Sequence, residues 1–595
     1  MRSGETSEMR SNLPLKVATW LILLSAATVL VLGIGGGLPN AKRSELLTWG
    51  RPLTAEQSLM LRQFRDASQD GRTLDELCGG NKLELPKPAK GLPEALRGPT
   101  YFAQECLIFD LRRFIVSSSA MDEFLSYSIL ADMKPARLDF NPRGQFAYGN
   151  AYVFPLGALL FIMKSLGIVQ VTRDVTQYLE HPGSIEAMYM AGRSIGIISF
   201  LAILFLLNMM GKRIGGAVCG PAAMLTFAFS TLPFGHSLIS KPHLYAAFWV
   251  LLTFYFGFRF METGSRKTIV LAVLTAGWAA ASVLPAAAAV LLFPVALFDR
   301  RSVKRSLAGV FQACAGVLAV FLLVNPYTII DFQAFSGQMG GFATKGGKVL
   351  ETFSPMEVIR YLATLFQKSY CFPAALFALF GLAAALVTAK RPLRRVAVVT
   401  LVLMIGSSCI ISATLAFPRY TLFVGTLICL LAGYGISLIY DRLRKRYALL
   451  GSVFLIAIFL PGACFTGLLS SDIIDNQAWY APTKEWVRSI PTGRRATVGV
   501  LARLSPVYSP PFPFIHMTVL NLNRWEDDQP VPDYVLIGKY PEDRILWERH
   551  PLRDRFELAF NLGYRESYEW FTRFREENPS STYGWVYVLK DKDRR

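Results

Sequence analysis

Along most of the chain, hydrophobic positions do not alternate with polar ones at a period of 2 or 3.6. They run together in long blocks, at 17–37, 188–210, 217–234, 243–261, 269–283, 285–298, 306–325, 369–388, 395–415, 420–440 and 447–468. These lengths sit near the roughly 20 residues a bilayer-spanning helix needs. In hydrocarbon each backbone N–H and C=O must be satisfied within the segment, so such runs are expected as helices. The pattern predicts a polytopic α-helical membrane protein with about eleven transmembrane helices. A shorter run, AYVFPLGALLFIMKSLGIV at 151–169, carries Pro155 and Lys164 and is read as a helix lying in the membrane interface on the outer side. The stretch 269–298 has Pro285 in its middle, which leaves two short helices of about 22 Å at 1.5 Å per residue, or one that re-enters. After residue 468 the pattern changes. WVRSI (486–490) reads as helix, and RATVGVLA (495–502), DYVLIGKY (533–540) and GWVYVLK (584–590) read as strands between turn signals. The tail 469–595 is therefore expected to be a small soluble α/β domain.

Charge fixes an orientation on this plan. Lys and Arg outnumber Asp and Glu by 62 to 43, a net +19. In a soluble protein that balance would suggest nucleic acid. Here the basic residues gather in short loops: Lys212 and Arg213; Arg266 and Lys267; Arg300, Arg301, Lys304 and Arg305; Lys390, Arg391, Arg394 and Arg395; Arg442, Arg444, Lys445 and Arg446. With 151–169 held out of the span count, all share the side of the N-terminus. The positive-inside rule then places residues 1–16 in the cytoplasm and 469–595 outside it, in a multi-pass plasma (inner) membrane protein. No nucleic-acid partner is expected. Only 18% of residues are charged and 52% are hydrophobic, which excludes disorder and an ordinary soluble enzyme. The first run resembles a signal peptide in its basic flank but lacks a nearby small-x-small site, so a retained helix is expected. Cys78 and Cys106 lie in the first outer stretch and would pair if it faces an oxidising compartment.

The spans are nearly free of ionisable residues, whereas secondary transporters keep them near the midplane. Chemistry is therefore sought at the outer surface. There the first loop carries Asp122 and Glu123, followed about twenty residues on by NPRGQFAYGNAYVFPLGAL (141–159). The pair and this segment resemble the first luminal loop of polyprenyl-phosphate-dependent glycosyltransferases of the GT-C type, in family 39 and its relatives, the protein mannosyltransferases and lipid A aminoarabinose transferases. Further stretches resemble that family in order: AGRSIGIIS (191–199), GKRIGG (211–216), HSLISKPHLYAAFWVLLTF (236–254), NPYTIIDFQAF (325–335) and FPRYTLFVGTL (417–427). Two departures stand out. Lys241-Pro242-His243 occupies the place where the family usually has an Asp, and the insertion 38–121 before the acidic pair is long.

The resemblance implies a GT-C fold over residues 17–468, with outer juxtamembrane helices, and an inverting transfer of sugar from a polyprenyl-phosphate donor to a lipid, glycan or protein acceptor. The residues alone ask for the same parts. A carboxylate takes the acceptor proton, and positive charge stabilises the departing phosphate. Asp122 is the expected base, with Glu123 beside it. Arg143, Arg193, His236, Lys241, His243 and Arg419 are the expected phosphate-binding groups. One acidic pair is too few ligands to argue a metal site, so no cofactor is expected and a divalent metal stays open. The alternative reading is a polytopic transporter or lipid flippase with an outer binding domain, and a third is a non-catalytic envelope scaffold that would not need Asp122.

Overall fold

The computed structural model describes residues 13–49, 51–69, 104–120, 122–143, 145–172, 174–298, 302–350, 354–356, 359, 362–363, 370–371, 374–387, 389–413, 418–474, 480–491, 495–501, 504, 506, 509–525, 530–538, 541–562 and 584–590. Of the proposed Cys78–Cys106 pair, Cys78 lies outside the described residues. The chain forms two compact units. One is made of 1–34, 125–159 and 191–471, the other of 35–124, 160–190 and 472–595.

The first unit is helical. Among the described residues five helices are long and apolar enough to cross a bilayer: Pro182–Gly215, Pro242–Thr263, Val303–Val324, Arg419–Arg446 and Leu449–Ser471. Five more apolar helices are shorter: Val17–Gly33, Asn150–Ser165, Cys219–Ala228, Leu284–Leu297 and Ala374–Val387. Of the about eleven transmembrane helices expected from the sequence, five are long enough to cross among the described residues, and proline shortens some of the others. The run 217–234 breaks into Cys219–Ala228 and Thr231–Ser237, with Pro233 inside the second piece. The run 269–298 ends its first helix at Ser282. Val283 is extended, and Pro285 opens a 3-10 stretch, Leu284–Leu291, before a six-residue helix. A proline has no N–H to give, so the carbonyl four residues back, at Phe229 and at Ala281, loses its helical partner.

Burial ranks the long helices. From Leu422 to Ser437 every residue of Leu422–Arg446 is buried. This helix is apolar all round, as a bundle's central helix must be, and it packs against Cys219–Ala228, Phe377–Val387 and Pro242–Thr263. Val303–Val324 is the opposite case. Leu307, Phe311, Leu318 and Leu323 are exposed, the last at 81%. An apolar surface of that kind is stable against hydrocarbon and not against water.

The second unit holds a five-stranded mixed sheet of order β2-β1-β3-β5-β4. β1 (Thr497–Val500) pairs in parallel with β2 (Thr518–Asn521) and β3 (Tyr534–Ile537). β5 (Gly584–Leu589) lies antiparallel between β3 and β4 (Phe556–Leu562). Val535, Ile537, Trp547, Phe556 and Trp585 form its core. Residues 35–124 and 160–190 pack into the same unit. Phe114 meets Phe514 at 5.5 Å, Lys484 donates to Glu45 at 2.7 Å, Arg62 pairs with Asp174 at 3.0 Å, and Tyr189 Oη donates to the Val116 carbonyl at 2.7 Å.

Candidate functional site

In the first unit, four of the expected phosphate-binding residues share one neighbourhood. The turn 237–241 delivers Lys241 to the start of Pro242–Thr263, where Pro242 is a natural first residue with its fixed φ and no N–H to satisfy. Lys241 is only 4% exposed, and His236 and His243 are buried with it. The His236 and His243 rings stand 6.2 Å apart. The His243 ring meets Tyr420 edge-on at 5.3 Å and Tyr148 edge-on at 5.8 Å. The Arg419 guanidinium lies 5.5 Å from the Tyr420 ring centre. Burial pushes the His236 imidazole well below its ordinary pKa, and the positive charges of Lys241 and Arg419 push it further in the same direction. His236 is therefore neutral at pH 7. Both ring nitrogens of His243 and Nδ1 of His236 are buried without a hydrogen-bond partner. Each buried polar atom left so costs about 1–3 kcal/mol, a cost kept where a ligand offsets it.

Small residues make the neighbourhood possible. A Cβ on Gly192 would lie 2.0 Å from Ser240 Oγ and 2.2 Å from Tyr127 Oη, so only glycine lets this helix press on the turn. Ser240 is held by Tyr127 at 3.0 Å and Tyr152 at 2.9 Å. Arg193, next to Gly192, is fully buried and donates to the Ile34 carbonyl at 2.9 Å, just past the end of Leu13–Gly33. Part of its work is thus to satisfy a helix terminus.

Two stretches singled out in the sequence meet here. The segment 139–150 is stitched to 324–338. Asn150 N donates to Asn325 Oδ1 at 2.8 Å, Phe140 N to Tyr327 Oη at 3.1 Å, Asn141 Nδ2 to Asp331 Oδ2 at 3.0 Å and Phe146 N to Gln338 Oε1 at 2.7 Å. Between them lies a groove of about 400 Å³, open space at its mouth included, with Phe146, Tyr148, Phe321, Tyr327 and Phe335 in its lining. Tyr148 thus lines the groove and also touches His243. Arg143 stands apart from this group. It is exposed, sits at φ 52°, and pairs with Asp139 within its own turn.

The acidic pair belongs to the second unit. Asp122 is half-buried at φ 59°, in the left-handed region, while Glu123 is fully buried and its N–H reaches the Ala120 carbonyl at 3.4 Å. Sequence reasoning missed Ser240, Tyr148, Tyr152 and Asn325, which look like ordinary interfacial residues. It also missed Arg43, a buried guanidinium in the stretch before the acidic turn. The signal that marks Arg43 is local: Asn40 caps Ala41–Thr48 and turns the helix. Among the described residues no group of three or more His, Cys, Asp or Glu side chains is arranged to hold a metal.

No protein-family model matches the chain, and no curated protein matches it. Solved structures do resemble it. The oligosaccharyltransferase of Archaeoglobus fulgidus tethered to an acceptor peptide is 11% identical over 63% of this chain and 55% of that one, with a TM-score of 0.36. ArnT from Cupriavidus metallidurans bound to undecaprenyl phosphate is 11% identical over 82% of this chain and 96% of that one, at 0.38. AglB from Archaeoglobus fulgidus in complex with an inhibitory peptide and a dolichol-phosphate is 12% identical over 81% and 62%, at 0.39. The chain spans about half the length of the first of these, 55%.

Proposed function

We infer that the chain is an integral-membrane, inverting glycosyltransferase that uses a polyprenyl-phosphate sugar. The observation that carries this reading is the buried group of His236, Lys241 and His243, with the half-buried Arg419 next to it, beside an aromatic groove. Lys241, Arg419 and two imidazoles with unpartnered nitrogens supply the donors a phosphate needs. Lys241 and His243 also sit at the N-terminus of a 22-residue helix, whose dipole favours an anion. The aromatic groove is apolar enough to take the first isoprene units of the donor's tail.

In the reaction, the Asp122 carboxylate accepts the proton of an acceptor hydroxyl. The acceptor oxygen attacks the anomeric carbon from the side opposite the phosphate, so configuration inverts. The carbon–oxygen bond to phosphate breaks, and its electron pair leaves with the polyprenyl phosphate. Lys241 and Arg419 stabilise the charge that builds on that phosphate, and His236 and His243 donate hydrogen bonds to it.

The test uses purified protein in nanodiscs, with undecaprenyl phosphate as the binding probe and its mannose, glucose and aminoarabinose conjugates as donors. Asp122→Asn should lower turnover by about 10²–10⁴-fold, the usual worth of a general base, with undecaprenyl phosphate binding unchanged. Lys241→Gln should weaken that binding instead. Retained turnover in Asp122→Asn removes the base. Movement of undecaprenyl phosphate across liposomes without any sugar transfer would favour a flippase.

A further inference from the structure

Arg43 is 2% exposed, one of the most deeply buried charged side chains in the chain. Asn40 Oδ1 accepts its backbone N–H at 3.0 Å and caps the helix it belongs to. Its guanidinium then reaches across the unit. Nη2 donates to the Gly37 carbonyl and to Ser119 Oγ, both at 2.9 Å. Nη1 donates to the Ser117 carbonyl at 2.8 Å and, more weakly, to the Phe114 carbonyl at 3.4 Å. The Ser119 N–H adds a bond to the Gly37 carbonyl at 2.9 Å. One side chain thus ties residues 37–43 to residues 114–119, the stretch that leads directly into the acidic pair.

That stretch is over-determined. Ser118 Oγ accepts the Ala120 N–H at 3.1 Å, and the Glu123 N–H returns to the Ala120 carbonyl. Asp122 follows at φ 59°. An L-residue stays in the left-handed region only where its surroundings hold it there. We propose that Arg43 is the positioning residue of the acidic turn, fixing the backbone of 117–119 and thereby the approach of the Asp122 carboxylate to the acceptor. The proposal rests on the reading of Asp122 as the base. Lysine does not substitute, because four acceptors around a planar fork match a guanidinium and not a point charge.

The experiment uses the full-length protein in nanodiscs and the variants Arg43→Ala, Arg43→Lys, Ser119→Ala and Asp122→Asn. Hydrogen exchange is followed at amides 117–123, and turnover is followed with the three undecaprenyl-phosphate sugars. Arg43→Ala should exchange faster at 117–123 and normally in β1 and β3. Its kcat should fall about 100-fold, the cost of a misplacement near 1 Å, with donor KM within about twofold of wild type. Arg43→Lys should behave alike. Added guanidinium should restore part of the Arg43→Ala turnover and none of that of Asp122→Asn, a rescue that general loss of structure would not show. Should Arg43→Ala fail to fold, Ser119→Ala removes a single acceptor and should still speed exchange at the same amides. Wild-type exchange at 117–123 in every foldable variant overturns the proposal. Retained turnover in Asp122→Asn, with faster exchange in Arg43→Ala, instead overturns the base assignment and leaves the positioning intact.

Discussion

A histidine kept neutral by its surroundings records those surroundings in the pH dependence of stability. Burial first, and then Lys241 and Arg419, hold the folded pKa of His236 below its ordinary 6.5. The unfolded chain therefore binds this proton more readily. Its contribution to stability is complete above pH 6.5 and is lost as pH falls toward the folded value. We expect the unfolding temperature of the purified protein to drop between pH 7 and pH 5, and His236→Asn to flatten part of that slope. His516 and His550 are depressed mainly by burial too, so some slope remains in the variant. Parallel curves for wild type and variant would mean that His236 is not buried among cations. The same residue shows what the sequence discloses and what it withholds. His236, Lys241, His243 and Arg419 were legible as a set, because all fall near predicted outer helix ends. Arg143 was chosen by the same logic, yet the fold turns it to Asp139. Ionisable residues near helix ends are easy to find; which of them point inward depends on packing that no local pattern carries.

At the scale of elements, the missed pieces differ in cause. In the sheet, the apolar runs of β1, β3 and β5 mark the three inner strands. The two that no expected run covers, β2 and β4, are the edges. β4 is mostly exposed along its middle, so it buries too little to leave a period in the sequence. β2 is as short and as buried as β1, so burial does not account for its absence from the expected strands. In the helical unit, the prolines at 233 and 285 were visible, but how far each would divide a span was set by tertiary contacts. Asn325 is one of these. It accepts the Asn150 N–H at 2.8 Å and donates to the Ala281 carbonyl at 3.3 Å, so it joins the starts or ends of three helices. Gly149 is locked in the same place, since a Cβ there would lie 1.8 Å from the Ala281 oxygen. Asn325→Ala leaves a buried N–H and a carbonyl without partners, and each such orphan costs about 1–3 kcal/mol. Thermal unfolding should therefore fall clearly below wild type, and Asn325→Asp should fall at least as far, because a buried carboxylate oxygen would then face the Ala281 carbonyl in place of the amide N–H. An unchanged unfolding temperature in Asn325→Ala would show that these bonds carry no weight.

For the whole molecule, the composition of the second unit constrains how the chain crosses the membrane. Soluble structure that packs into one body must lie on one side of the bilayer. Residues 35–124 and 160–190 belong to that body, tied by Arg62 to Asp174 and by Tyr189 to the Val116 carbonyl. The chain between them, which contains most of Asn150–Ser165, must then make an even number of crossings. It holds a single apolar helix, so that helix should not cross. The helix is 16 residues long with Pro155 inside, about 24 Å at 1.5 Å per residue, short for a span. Its continuation is apolar and exposed at Phe161, Ile162, Leu166, Ile168 and Val171, the surface expected of a segment seated in the headgroup region. Residues 472–595 also belong to the body, through Glu45 with Lys484 and Phe114 with Phe514. The chain from 191 to 471 must therefore also cross an even number of times. Ten runs were read there from the sequence, five of which are long helices. The basic loops alternate with that count, and by the positive-inside rule we propose that they face the cytoplasm and that the body lies outside it. Cysteines placed one at a time at Gln170 and Lys212 test both steps. A membrane-impermeant thiol reagent should label Gln170→Cys in intact cells and should label Lys212→Cys only after the membrane is opened. A reporter that works only outside the cytoplasm should be active when fused after Ser471. Protection of position 170 together with labelling of 212 would mean that Asn150–Ser165 does cross, and the packing of 35–124 against 160–190 would then have to be wrong.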